Sequence, residues 1–174
     1  MALPLQSYRN EASRIRGEII NSTINLERLI DECISIYFCG QTDKAIELQE
    51  LIISDRMDFA KKTDAMRTIM RKTCKKQGVN FEKEYKGIKD AFRMIYEERN
   101  RFAHCRMPIP SLNELNQYKI VLLPYKDGAE RVPYTQDQIN EIFERIDLCE
   151  RVIKHVYYTK VTQQSPQDKT DAHP

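Results

Sequence analysis

Tryptophan is missing from this chain of 174 residues, and glycine is scarce, with only five copies. Because β-rich folds need many glycine-containing turns, this composition disfavours a turn-rich β protein. No run of apolar residues approaches the length of a membrane-spanning helix. Residues 1–5 also lack the basic flank and the apolar stretch of an export signal. The sequence therefore predicts a cytoplasmic protein with no membrane contact.

Sequence signals for metals, cofactors and disulfides are also lacking. The five cysteines are odd in number and form no C-x-x-C pair, which favours free thiols in a reducing compartment. Of the three histidines, His155 and His173 have no ligand-like neighbours. The glycines form no phosphate-cradling loop. We therefore expect neither a metal ion nor a cofactor.

Apolar residues recur at three- and four-residue steps through most of the chain, which is the spacing of amphipathic helices. The pattern predicts helices over residues 7–38, 44–53, 55–76, 80–104 and 136–160. The expected N-caps are Thr42 or Asp43 for the second helix, Ser54-Asp55 for the third and Thr135 for the last.

The segment before the last helix has a different pattern. Residues 118–125 and 131–134 flank an Asp-Gly pair that suits a hairpin turn. The predicted fold is thus an all-α bundle of four to five helices with a short β-hairpin between the fourth helix and the last. We expect one domain over residues 1–160 and a disordered tail over residues 161–174, which are rich in Gln, Ser, Pro and Asp.

The most informative segment is Arg99-Asn100-Arg101-Phe102-Ala103-His104, at the end of the fourth predicted helix. Two prolines follow it, so the helix should end between His104 and Met107. Unpaired carbonyls in the last turn favour a protonated imidazole there. An arginine can neutralise a phosphate, and a histidine, with an ordinary pKa of about 6.5, can move protons near neutral pH. The pairing suits phosphodiester chemistry.

The spacing of these residues places them unevenly around a helix. Asn100 and His104 are four residues apart and share a face. Arg99 and His104 are five apart, which is about 140° around a regular helix. Arg99 and His104 can therefore share a site only if the helix end is distorted or a second subunit completes the site.

The segment Glu98-Arg99-Asn100-Arg101-Phe102-Ala103-His104, closing a long helix after earlier amphipathic helices, resembles the signature of the HEPN superfamily. Arg99, Asn100 and His104 match the pattern position by position, and Ala103 is the small residue often found before the histidine. The resemblance implies a helical bundle, a homodimer that brings two motifs together and, in active members, metal-independent cleavage of RNA.

The resemblance also implies a toxin-antitoxin or defence setting, with a protein antitoxin or regulator as a further partner. His104 would take the 2′-OH proton or protonate the leaving 5′ oxygen, while Arg99 offsets charge on the phosphate and Asn100 orients one of them. Because some HEPN members are inactive, the alternative is a non-catalytic binding or scaffold module that contacts protein or nucleic acid. The residues alone also allow a structural His104 at a helix end with Arg99 as a surface cation.

Cationic residues cluster although the net charge is only +2. Between Lys61 and Lys76, seven cations stand against the single anion Asp64. This run can contact phosphates, or it can be the solvated outer face of a helix.

Three arginines on or beside the motif helix are the stronger candidates for RNA contacts, namely Arg93, Arg101 and Arg106. Glu97 and Glu98 offer a different explanation, because they could pair with Arg93 and Arg101 on the helix surface.

Overall fold

The computed structural model describes residues 2–161 and is built mainly from helices. In chain order these are α1 (Ala2–Cys39), α2 (Asp43–Leu48), α3 (Phe59–Lys76), α4 (Phe81–Glu84), α5 (Ile88–His104), α6 (Leu112–Gln117) and α7 (Gln136–Val161). A π-helical turn, Gln49–Ser54, continues α2. Strands β1 (Ile120–Leu122) and β2 (Val132–Tyr134) lie between α6 and α7.

The four long helices, α1, α3, α5 and α7, form a bundle in which each helix contacts the other three. Their apolar stripes meet in one continuous core, because residues three and four apart lie on one face of a helix. Fully buried members include Ile19, Leu26, Ile30, Met66, Met70, Ile95, Phe102 and Ile139. The predicted all-α bundle with a short hairpin is confirmed.

The hairpin is antiparallel, with Ile120 opposite Tyr134 and Leu122 opposite Val132. All three residues of β1 are buried, so the hairpin packs against the bundle through this strand. The chain leaving α5 also joins it, because Arg106 and Leu123 exchange backbone hydrogen bonds of 3.0 and 2.8 Å. The hairpin therefore supports the end of α5, where the motif lies.

The predicted single helix over residues 80–104 is wrong, because the chain breaks between α4 and α5. Asn80 caps α4, and Gly87, with a φ of 89°, precedes the first residue of α5. That left-handed conformation is strained for any residue with a Cβ atom. Phe81, Tyr85 and Ile88 keep helical spacing across the break. The apolar pattern therefore continues through residues 85–87 and does not reveal that the helix ends there. The predicted end of the motif helix is confirmed, since α5 ends at His104.

The predicted cap at Ser54-Asp55 is also wrong. The chain continues past α2 as the π-helical turn, and α3 begins at Phe59 with Asp58 as its N-cap. Asp58 Oδ1 accepts a 2.8 Å hydrogen bond from the backbone N–H of Lys61. Ser54 instead donates to the carboxylate of Asp31 in α1, at 3.2 Å. The predicted helix over residues 44–53 is therefore α2 together with the π-helical turn.

Helix α6 was not predicted, because it has no apolar stripe and Leu112 is 82% exposed. A capping box between Ser111 and Glu114 stabilises it locally.

Helix α1 begins at Ala2, earlier than predicted, while Thr135 caps α7 as expected. The predicted tail lies outside the described residues, apart from residue 161, which ends α7. Within residues 2–161, no helix is long and apolar enough to span a membrane.

Candidate functional site

The motif occupies the last turns of α5, and this end of the helix is regular. The helical conformation holds through His104, and Cys105 is the first extended residue, with φ −88° and ψ 149°. Arg99 and His104 consequently stay about 140° apart around the axis, while Asn100 and His104 lie on one face. From the sequence, Arg99 and His104 could share a site through a distorted helix end or through a second subunit. The regular end of α5 excludes the first of these two arrangements.

Arg99 contacts Asn100 directly. Its Nη1 donates a 3.2 Å hydrogen bond to Asn100 Oδ1, and both side chains are half-buried. The bond joins Arg99 to the neighbour that shares a face with His104, although Arg99 itself stays about 140° from His104 around the helix axis. The other donors of the guanidinium fork can meet a phosphate. The contact between these neighbours is a detail that the spacing did not predict.

His104 is exposed, and no described residue forms a hydrogen bond or ion pair with its imidazole. The carbonyl of Ala103 accepts a 2.9 Å hydrogen bond from Nη2 of Arg16 in α1. A cation from α1 thus satisfies one carbonyl of the last turn. The described contacts give no support to a capping or hydrogen-bonded structural role for His104.

Arg16 is the residue of this region that sequence reasoning missed. It lies 87 residues before Ala103, so no local pattern links the two. Arg16 is half-buried and joins α1 to the end of α5. Only the packing of α1 against α5 brings it to the motif.

Arg101 is committed to a buried carboxylate beside the hairpin. Glu98, which is 9% exposed, accepts a 2.5 Å hydrogen bond from Arg101 Nη1 and another of 2.5 Å from the hydroxyl of Tyr134. Burial, followed by the hydrogen bond and charge of Glu98, raises the pKa of Tyr134, so the phenol stays protonated. Pairing with a glutamate is the alternative to RNA contact that the sequence indicates for Arg101, and the structure has that pair. RNA can bind Arg101 only in competition with Glu98.

The other two candidate RNA contacts lie in different places. Arg106 follows the motif at once, its side chain is exposed, and no described residue pairs with it. Arg93 lies about 16 Å before His104 along α5. It pairs weakly with Asp90, at 3.4 Å, and no bond to Glu97 is found among the described residues. The structure therefore brings Arg106 to the motif end and leaves Arg93 in the N-terminal half of the helix.

The basic run of α3 does not form one exposed face. Lys62 is 2% exposed and lies in the core, where it pairs with Glu27 and Asp31 of α1. Arg71 is tied to Glu82 at 2.6 Å. The exposed members that lack a partner among the described residues are Lys72, Lys75 and Lys76. Treating the whole run as surface was therefore wrong for Lys62.

The cysteines and histidines offer no second site in the described part of the chain. All five cysteines are free, and burial raises the pKa of both Cys33 and Cys149 to about 12, which keeps these thiols protonated and unreactive. His155 packs against the ring of Tyr85. Within the described residues, no group of three His, Cys, Asp or Glu side chains could hold a metal ion.

Comparison of the chain with protein-family models, curated proteins and solved structures found no match.

Proposed function

We propose that this protein is a HEPN-type endoribonuclease that cleaves RNA without a metal ion. The observation that carries the proposal is an exposed, unengaged His104 on the same helix face as Asn100, which holds the guanidinium of Arg99. These groups supply a proton carrier and a cation for phosphate at one helix end.

The reaction needs only a proton carrier and charge stabilisation. The 2′ oxygen loses its proton and attacks the adjacent phosphorus, the bond to the 5′ oxygen breaks, and that oxygen gains a proton. His104 takes the first proton or donates the second, and solvent water exchanges the other proton. Arg99 offsets negative charge on the phosphate. The products are a 2′,3′-cyclic phosphate and a 5′-hydroxyl. DNA lacks the attacking hydroxyl and is not a substrate.

The first prediction is cleavage of mixed RNA by pure protein in excess EDTA. We expect fragments that end in 2′,3′-cyclic phosphate, or in 3′-phosphate where water has opened the ring. His104→Ala should slow the reaction about 100- to 10,000-fold, since that is the contribution of one general acid or base. Rates are read from labelled RNA on denaturing gels.

Two controls separate the site from contamination and from unfolding. Arg99→Ala should lose activity, whereas Arg151→Ala, an exposed arginine on α7, should not. Circular dichroism checks that all variants are helical. Equal rates for wild type, His104→Ala and Arg99→Ala would refute the assignment.

The proposal includes the surroundings that the resemblance implies. The enzyme would act in the cytoplasm as a homodimer, in a toxin-antitoxin or defence system with a protein antitoxin or regulator. The exposed cations Arg106 and Arg93 are the candidate contacts for the RNA backbone.

A second candidate function, a non-catalytic protein-binding module, is favoured by an exposed apolar surface at α2. This surface, called the α2 surface here, consists of Phe38, Ile46, Leu51 and Ile52, each more than half exposed. The same segments carry four exposed acids, Glu32, Asp43, Glu47 and Glu50, against one exposed cation in α2, Lys44. A helix segment that is apolar on several sides is usually covered. The charge complement of the α2 surface is an amphipathic helix with lysines beside its apolar stripe.

The second prediction tests this function with a labelled amphipathic peptide of leucine and lysine. If the α2 surface binds such helices, Ile46→Asp together with Leu51→Asp should abolish the rise in fluorescence anisotropy. Leu112→Asp, at an exposed leucine in α6, is the matched control and should bind as wild type does. Equal binding by all three proteins, or no binding at all, would remove this candidate.

A further inference from the structure

A shallow groove of about 190 Å³ runs between α3 and α5, apart from the motif. It is called the α3–α5 groove here. Its charged and aromatic lining residues are Asp64, Arg67, Lys89, Phe92, Arg93 and Tyr96. Three of these side chains are cations and one is a carboxylate, so the lining has a net charge of +2. Such a groove attracts anions.

The cations of this groove are loosely held. Arg67 Nη1 lies 3.5 Å from Asp64, and its Nε is buried without a hydrogen-bond partner among the described residues. Arg93 lies 3.4 Å from Asp90, and Lys89 is exposed with no partner in the described part of the chain. Ion pairs at exposed positions are weak, so an incoming phosphate can displace these carboxylates.

The groove also presents a fixed aromatic ring. Tyr96 is 38% exposed, and its ring stacks on that of buried Phe59 with centroids 6.2 Å apart and planes within 5°. Packing against Phe59 restrains the ring while leaving part of it open to solvent. An exposed aromatic ring next to cations is the arrangement that binds an unpaired base beside its phosphate.

Helix geometry connects the α3–α5 groove with the motif. Lys89, Arg93, Tyr96, Asn100 and His104 fall within about 80° of the circumference of α5. Tyr96 precedes His104 by about 12 Å along the axis. The groove and His104 thus lie along one continuous face, at a separation that a short stretch of extended strand covers.

We propose that the α3–α5 groove binds single-stranded RNA, with backbone phosphate on Arg67, Lys89 and Arg93 and an unpaired base on Tyr96. The inference rests on the proposed ribonuclease function and deepens it by assigning a surface that holds the substrate strand. A single strand is required because a base in a duplex is already stacked on both faces and paired with a base of the other strand. Strand leaving the groove along α5 reaches His104.

The third prediction is measured as binding rather than cleavage. The probe is a labelled 2′-O-methyl oligoribonucleotide of about ten nucleotides, which cannot undergo 2′-OH attack. Tyr96→Leu keeps an apolar cover over Phe59 but removes the flat ring, and it should weaken binding about 5- to 150-fold. Tyr96→Phe should bind as wild type does. Lys89→Gln and Arg93→Gln should each reduce the slope of log K against log salt by about 0.7.

The controls decide between RNA and other anions. Arg151→Gln, at an exposed site on α7, should leave both affinity and salt slope unchanged. Displacement of the probe by millimolar inorganic phosphate alone, or equal affinity for a duplex of the same sequence, would overturn the inference. Unchanged binding by Tyr96→Leu would overturn it as well.

Cleavage assays separate this inference from the proposed function. If wild type cleaves RNA and the groove variants bind normally, the groove assignment fails while the ribonuclease stands. If the groove variants lose binding but no RNA is cleaved in EDTA, the groove stands and the catalytic proposal fails.

Discussion

At the scale of single residues, the most unusual side chain is Lys62, which is buried in the core. Its Nζ donates to Glu27 Oε1 at 2.7 Å and to Asp31 Oδ2 at 2.9 Å, so it joins α3 to α1. Burial opposes its charge, but its bonds to the two carboxylates outweigh burial and raise the pKa of Lys62. At Asp31, burial dominates and raises the pKa although Lys62 lowers it. Removing the lysine from such a buried ion-pair group leaves a buried carboxylate without its counter-charge.

The fourth prediction follows from this buried group. Lys62→Met should lower the free energy of unfolding by about 3–5 kcal/mol, because Asp31 loses its counter-charge. Lys61→Met, at the exposed neighbour, is the matched control and should change it by about 0.5 kcal/mol or less. Adding Asp31→Leu to Lys62→Met should recover most of the loss. Urea denaturation measures all four proteins.

The same residue predicts a dependence on pH. Since the pKa of Lys62 is raised above its ordinary value of 10.5, its contribution is complete below pH 10.5 and is lost as the pH rises through the folded-state pKa. The stability difference between wild type and Lys62→Met should therefore shrink in strongly alkaline buffer. A Lys62→Met protein as stable as wild type at neutral pH would contradict this account.

At the scale of elements, the long helices could be predicted because their apolar spacing and terminal residues agree. Helix α7 combines an apolar stripe with a capping threonine, and α5 ends where two prolines follow it. Propensity, pattern and capping all point to the same structure at these positions. The hairpin was predictable for a similar reason, since an Asp-Gly pair separates two short strand-like runs.

The elements that were missed depend on signals that periodicity does not contain. The break before α5 depends on the left-handed φ of Gly87, while the apolar spacing continues through it. Helix α6 is fixed by its capping box and by a 2.6 Å ion pair between Glu114 and Arg131, with no buried side chain of its own. The burial of Lys62 reverses the usual preference of lysine for the surface.

At the candidate site, too, the features set by spacing along one helix could be predicted, whereas contacts between distant parts of the chain could not. The shared face of Asn100 and His104 follows from their spacing, and so does the divergence of Arg99. Contacts with Arg16 and Tyr134 could not be predicted, because they need α1 and the hairpin to pack against α5. Sequence reasoning therefore located the motif but not the residues that hold it.

At the scale of the whole molecule, the end of α5 is fixed from two sides. Arg16 of α1 bonds to the last turn, and the hairpin joins it through Leu123 and through the hydroxyl of Tyr134. These contacts anchor the motif to α1 and to the hairpin but leave His104 exposed. A regular helix end also keeps Arg99 and His104 on different sides of α5. An undistorted motif leaves a second subunit as the way to complete the site.

The last prediction is accordingly a two-fold dimer whose interface carries both motif helices. Light scattering at micromolar concentration should report about twice the chain mass of 20.6 kDa. If each site takes Arg99 from one subunit and His104 from the other, a mixed dimer of Arg99→Ala and His104→Ala keeps one intact site. Co-expression of these two inactive variants should therefore restore about a quarter of wild-type activity, since random pairing makes half of the dimers mixed and each has one site of two.

The outcome of co-expression also tests where the site is built. A site contained in one subunit would stay inactive in the mixture, because every copy would lack one of its two groups. A monomer at every concentration, or a dimer with the two His104 side chains on opposite outer surfaces, would exclude the composite site. In either case Arg99 and His104 could not act on one phosphate from a regular α5, and the protein-binding module would become the better account of this chain.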